Sequence, residues 1–122
     1  MTGDTLLAGA LGEHVDAVNS FDEDAIVATF AVDALVNDAH REFWGIDAIR
    51  RWVAKEMVGD KVTLEVTEVI DHYGDTIVRA RYDGEFDRTH LPAGDLIMTN
   101  YFTVREDKIV SLIVIRNTPA DY

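Results

Sequence analysis

The stretch from Leu96 to Arg116, LIMTNYFTVREDKIVSLIVIR, decides the fold class. Its first half alternates, with Leu96, Met98, Phe102 and Val104 on one face and Ile97, Thr99, Tyr101 and Thr103 on the other. Glu106–Asp107 is short enough for a tight turn, and Lys108–Arg116 follows as a second strand. That strand is apolar on both faces, Ile109, Ile113 and Ile115 against Val110, Leu112 and Val114. A strand of this kind belongs in the middle of a sheet, covered once by the protein's own helices and once by another subunit.

Working outward, the preceding segment also has period two. Val62, Leu64, Val66 and Ile70 share a face opposite Lys61, Thr63, Glu65 and Thr67. Val78, Ala80, Tyr82 and Phe86 then alternate with Arg79, Arg81, Asp83 and Glu85, after a turn at Asp71–Asp75. A longer loop, Thr89–Gly94, contains Pro92 and precedes Leu96. The N-terminal half reads as helix. Leu7, Leu11, Val15 and Val18 mark one face of a helix over Asp4–Asn19. Ser20 and Glu23 form a capping-box pattern, with Asp22 as a rival cap. The second helix carries Ile26, Val27 and Phe30 and ends at Asp33, before a short strand Ala34–Asp38. A further short strand, Glu42–Trp44, leads at Gly45 into a third helix with Ile49, Trp52, Val53 and Met57 inward, which Gly59 stops. Helices followed by hairpin-linked strands predict one α+β domain over residues 1–122, with three helices packed on a curved antiparallel sheet.

Bulk composition narrows the function. The chain has 122 residues, 23 acidic and 11 basic, for a formal charge of −12. Such a surface repels phosphate backbones and anionic membranes, so neither nucleic acid nor membrane is an expected partner. With no cysteine, thiolate chemistry and disulfides are excluded. The four histidines lack metal-site spacing, and no phosphate-binding glycine loop occurs, so neither a metal nor a cofactor is expected. The short apolar run Leu6–Leu11 has Asp4 where a signal peptide carries positive charge, and a cytoplasmic protein is expected.

The chemically informative residues are the polar ones on apolar faces, because burying a polar group costs free energy unless it is paired. His14 shares the face of Leu11 and Val18. It is either a core histidine bonded to backbone or a neighbour, or a donor or acceptor aimed into a cavity. Asp38 ends the first short strand on the face of Val36. It either bonds turn amides or, facing an apolar pocket, has its pKa raised by desolvation. Asn100 interrupts the apolar face of Leu96–Val104 and needs a partner, which a ligand can supply. Glu68 between Val66 and Ile70 is a pocket rim or an exposed strand end. Phe30, Trp44, Trp52, Val66, Tyr82, Met98 and Phe102 are core residues or the lining of such a pocket. His40 and His90 lie at loops, where solvation is the default.

The order of elements resembles the nuclear-transport-factor-2-like (NTF2-like) superfamily, and within it the SnoaL-like group. The resemblance rests on AVNSFDEDAIVATFAVDALVND (17–38), FWGIDAIRRW (43–52) and YFTVREDKIVSLIVIRN (101–117) and spans nearly the whole chain. It implies a cone-shaped fold enclosing a pocket. The superfamily hosts isomerases, cyclases, dehydratases, epoxide hydrolases and non-catalytic proteins, so fold alone does not give activity.

Set against ketosteroid isomerases, Asp38 stands where the proton-shuttling aspartate would be. His14 replaces the helix tyrosine, and Asn100, in TNYFTV, replaces the strand aspartic acid. What the resemblance implies is proton transfer next to a carbonyl of a small apolar substrate (isomerisation, cyclisation or dehydration), with Asp38 as base and His14 and Asn100 orienting the oxygen. The alternative is a ligand-binding domain without chemistry. A limonene-type epoxide hydrolase would want an Asp–Arg–Asp set, and no inward-facing arginine is expected. Related folds commonly pair through the outer sheet face, and a homodimer is expected through Ile97, Thr99, Tyr101 and Thr103 with Val110, Leu112 and Val114.

Overall fold

The computed structural model describes residues 7–86, 89 and 96–116. Most of the loop expected at Thr89–Gly94, with His90 and Pro92, and the start of the first helix at Asp4 lie outside the described residues.

The chain order is α1 (Gly9–Asn19), α2 (Glu23–Ala28), β1 (Phe30–Asp38), β2 (Arg41–Trp44), α3 (Gly45–Trp52), a π-helical turn (Val53–Val58), β3 (Thr63–His72), β4 (Asp75–Asp83), β5 (Leu96–Arg105) and β6 (Lys108–Arg116). The six strands form one sheet in the order β2-β1-β6-β5-β4-β3. β6 is central, as its two apolar faces require. The sheet is mixed, not wholly antiparallel, because β1 runs parallel to β6. The helices cover one face, and Ile26, Ile49, Ile109, Leu112, Val18, Val36 and Val53 are fully buried between the layers.

Three two-residue turns hold the hairpins: Ala39–His40, Tyr73–Gly74 and Glu106–Asp107. Each has positive φ at both positions, the backbone twist that matches the twist of paired strands. Asp22, not Ser20, caps α2, accepting from the Ala25 amide at 3.1 Å. Ser20 is spent ending α1, its amide bonded to Asp16 and Ala17 carbonyls. α2 also ends earlier than its apolar pattern suggests, and β1 begins at Phe30 instead of Ala34. The Thr29 hydroxyl donates to the Ile26 carbonyl at 2.6 Å, while the Thr29 carbonyl accepts from the Ile109 amide at 2.9 Å. The chain there has already turned from helix to sheet partner.

Two bulges change which residues face inward. In β3 the pairing passes from Val66↔Ala80 to Glu68↔Arg79, leaving Thr67 unpaired. Val69 therefore faces the helices opposite Val78, Ile70 faces outward, and Glu68 makes an exposed ion pair with Arg79. In β6 the pairing passes from Thr103↔Ser111 to Val104↔Ile109, leaving Val110 extra. Ile109, Leu112 and Val114 are consequently buried together, while Ile113 and Ile115 lie on the outer face. The expected outer set of Leu112 and Val114 is thus reversed, and strict alternation could not have revealed it.

Asn19, at the end of α1, donates to the Leu64 carbonyl at 3.0 Å and accepts from the Leu64 amide at 2.7 Å. The side chain stands in for a neighbouring strand along the free edge of β3, and it sets the distance of α1 from the sheet.

After α3, Gly59 donates to the Ala54 carbonyl at 2.9 Å, five residues back, which widens the final turn. Gly59 is required there: a Cβ would lie 2.3 Å from the Lys55 carbonyl oxygen. Gly59→Ala should lower unfolding free energy by more than about 2 kcal/mol in urea titration, because backbone rather than a mobile side chain must move. A loss under about 0.5 kcal/mol, the range of a neutral surface change, would contradict this assignment.

Candidate functional site

The curved sheet and the helices do not close on one another completely. Between them lies a cavity of about 750 Å³, walled mainly by apolar residues such as Met57, Leu64, Leu96, Met98, Leu112 and Val114. This size suits a small organic ligand. His14, Asp38 and Asn100 all line it. Three residues drawn from α1, the end of β1 and the middle of β5 thus meet at one space, two of them 86 positions apart.

His14 is 2% exposed and sits edge-on to Phe30 and Phe102, with ring centroids 5.5 and 5.6 Å away. Its Nδ1 lies 3.1 Å from Thr29 Oγ1. The single Thr29 hydroxyl proton is committed to the Ile26 carbonyl, which can only accept. The threonine oxygen must therefore accept from Nδ1–H. In the neutral ring this leaves Nε2 as a bare acceptor, and among the described residues nothing donates to it. Burial pushes the His14 pKa down from 6.5 to about 4, so the ring is neutral at physiological pH.

Asp38 is nearer the mouth, with 17% of its side chain exposed. One oxygen, Oδ2, accepts from Trp52 Nε1 at 3.1 Å and from Arg41 Nη2 at 3.0 Å, and Oδ1 is left for another partner. Burial raises the Asp38 pKa above that of an ordinary aspartate; the Trp52 hydrogen bond and the Arg41 charge oppose the shift, and Glu56 adds to it. Arg41 also grips Glu56 with two bonds, of 2.8 and 2.7 Å. Arg41 accompanies Asp38 from the rim with half its side chain exposed, so it is not an inward-facing arginine of the kind an epoxide hydrolase would want. Asp38 directly precedes the Ala39–His40 turn, where two non-glycine residues hold left-handed backbone.

Asn100 is 3% exposed. Its Oδ1 accepts from the Tyr82 hydroxyl at 2.7 Å, and its Nδ2 donates to the Val78 carbonyl at 3.2 Å. One Nδ2 proton remains. The hydrogen bond from Tyr82 polarises the amide and strengthens that remaining donor. Burial, helped by the Asp38 charge, pushes the Tyr82 pKa upward, so its hydroxyl keeps its proton.

Of the expected lining residues, Trp52, Tyr82 and Met98 border the cavity. Phe30, Phe102 and Val66 belong instead to the packing around it, the two phenyl rings flanking His14. Trp44 is on the outer face of β2, 65% exposed, because its partner Leu35 alternates with the inward Val36. Thr29, Arg41 and Glu56 were not anticipated. Thr29 is the one polar residue in the run AIVATF, a signal that could have been read. Glu56 follows Trp52 by four positions, the helical spacing that puts both beside Asp38.

Among the described residues no three His, Cys, Asp or Glu side chains cluster to hold a metal ion, and no helix is long and apolar enough to cross a membrane.

No protein-family model and no curated protein sequence matches the chain. Solved structures do. A proposed polyketide cyclase from Sinorhizobium meliloti is 28% identical, with a TM-score of 0.78 over 89% of this chain and 95% of the other. A Catenulispora acidiphila protein with a ketosteroid isomerase-like fold, in complex with trimethylamine, is 17% identical, with a TM-score of 0.72 over 87% and 83%. TerC, crystallised with polyporic acid, is 14% identical, with a TM-score of 0.73 over 88% of each chain. The chain has the NTF2-like fold that its sequence resembles.

The low His14 pKa couples the site to stability. Between pH 6.5 and 4 the unfolded chain binds a proton at His14 that the folded chain refuses, so stability falls as pH falls through this window. Over the whole span the loss reaches roughly 3 kcal/mol. The raised Asp38 pKa acts in the opposite sense, favouring the folded state on the acid side. Urea titrations at pH 7 and pH 5 should show the wild type losing more stability on acidification than His14→Phe. Equal losses would mean that His14 is not buried in its neutral form.

Proposed function

We propose that the chain binds a small, largely apolar carbonyl compound in this cavity and moves a proton at the carbon beside the carbonyl, as an isomerase, cyclase or dehydratase does. The observation that carries the reading is a desolvated Asp38, bonded through Oδ2 alone, lining the same apolar cavity as Asn100.

In this account Asp38 Oδ1 takes the proton. Trp52 and Arg41 fix the carboxylate through its other oxygen, so the base needs no reorientation. Desolvation makes it a stronger base than a surface aspartate. As the proton leaves, charge develops on the substrate oxygen, and the unspent Nδ2 proton of Asn100 supplies a fixed donor. The ketosteroid isomerase pattern has two donors at this point. His14 cannot be the second in its neutral form, because its N–H is bound to Thr29. Asp38, Glu56 and Asp60 at the cavity favour neutral substrates over anions. Ligand complexes of structurally similar proteins support a small-molecule site.

The test needs no knowledge of the natural substrate. In D2O the wild type should speed exchange of the α-protons of 2-tetralone, and Asp38→Asn should slow that catalysed exchange by about 10²-fold or more with thermal stability kept. Saturable stabilisation by 2-tetralone without exchange would favour the binding-domain alternative. Exchange unchanged by the substitution would remove Asp38 as the base.

The same reading includes a homodimer through the outer sheet face. Trp44, Tyr101, Ile113 and Ile115 are 65, 39, 38 and 48% exposed there, an apolar area that a second copy would cover. Sedimentation at micromolar concentration should give a dimer for the wild type and a monomer for Ile115→Glu. A monomeric wild type would overturn this part.

A further inference from the structure

His14 is buried, neutral and held in one orientation, yet the nitrogen it does not use in folding is an acceptor. The Ile26 carbonyl takes the Thr29 proton, Thr29 Oγ1 takes the proton on Nδ1, and Nε2 keeps its lone pair. His14 lines the cavity, and no side-chain nitrogen or oxygen is left buried and unpaired among the described residues. Nε2, without a protein donor, is therefore in reach of whatever fills the cavity. Phe30 and Phe102 pack edge-on against the ring.

We propose that His14 Nε2 is a specificity-determining acceptor and that the ligand carries a hydroxyl group (alcohol, phenol or enol) that donates to it. The proposal deepens the reading above by adding a second functional group to the carbonyl compound, and it rests on the cavity being a ligand site. A ligand that fills the cavity expels the water able to satisfy Nε2. One without a donor then leaves a desolvated acceptor unpaired, which binding sites of this type reject strongly. Two polar groups of the cavity lining then serve different ligand atoms: an acceptor at His14 for the hydroxyl, a donor at Asn100 for the carbonyl.

The experiment compares 2-naphthol with 2-methoxynaphthalene, which keeps the rings and the oxygen but lacks the proton. Isothermal titration should show the wild type binding 2-naphthol about tenfold tighter, the worth of one hydrogen bond of about 1.4 kcal/mol. In His14→Phe the two affinities should become equal. In Asp38→Asn the preference should persist, which separates this proposal from the catalytic one: lost exchange with a retained preference supports both, and unaffected exchange with a retained preference removes only the base. If His14→Phe does not fold, ¹⁵N spectra of ring-labelled wild type decide. The His14 Nδ1 should carry the proton, and the Nε2 signal should move with 2-naphthol but not with its methyl ether. Equal affinities in the wild type, no binding of either probe at millimolar concentration, a preference that survives in His14→Phe or disappears in Asp38→Asn, or a proton on Nε2 would each overturn the proposal.

Discussion

A curved sheet cannot be filled by three short helices, and the space left over is the constraint on which the rest of this structure depends. Apolar walls alone would leave that space dry and featureless. The polar groups around it are instead held by protein partners through one of their atoms and left open through another. Thr29 occupies one nitrogen of His14, Trp52 and Arg41 occupy one oxygen of Asp38, and Tyr82 and Val78 occupy part of the Asn100 amide. Each group is thereby oriented without being used up.

The frame follows from the same demand. β6 lies at the centre because both its faces are apolar, and its bulge at Val110 lets Ile109 join Leu112 and Val114 on the helix side. The parallel pairing of β1 with β6 brings Asp38 opposite Val114, the residue that also pairs with Asn100. Matching register positions on three adjacent strands thus bring Asp38 and Asn100 to the same cavity. The π-helical turn after α3 places Glu56 beside Arg41 and Met57 against the cavity. Local backbone irregularities, two bulges and a widened helical turn, do the work of shaping the space.

Much of this was legible in the sequence. The period-two runs gave β5, β6 and the Glu106–Asp107 turn with their observed limits, and the inward polar residues His14, Asp38 and Asn100 stood out because they broke apolar faces. What was hidden depends on long-range pairing. A bulge is a disagreement between two strands about register, so Ile70 and Ile113 lie on the faces opposite to those that alternation alone predicts. Trp44 was misplaced for a related reason, since a four-residue edge strand is too short to establish which of its faces is covered. The hydrogen-bonding role of His14 could not be read at all, because it is fixed by Thr29, fifteen residues away.

The central claim is that the three polar groups address one ligand. Titrating labelled protein with 6-hydroxy-2-tetralone, which carries both a carbonyl and a hydroxyl, while following the His14 ring, the Trp52 indole N–H beside Asp38 and the Asn100 side-chain amide by NMR tests it most directly. The account predicts that all three signals move together with one dissociation constant. Signals that remain still, or that follow separate constants, would contradict it.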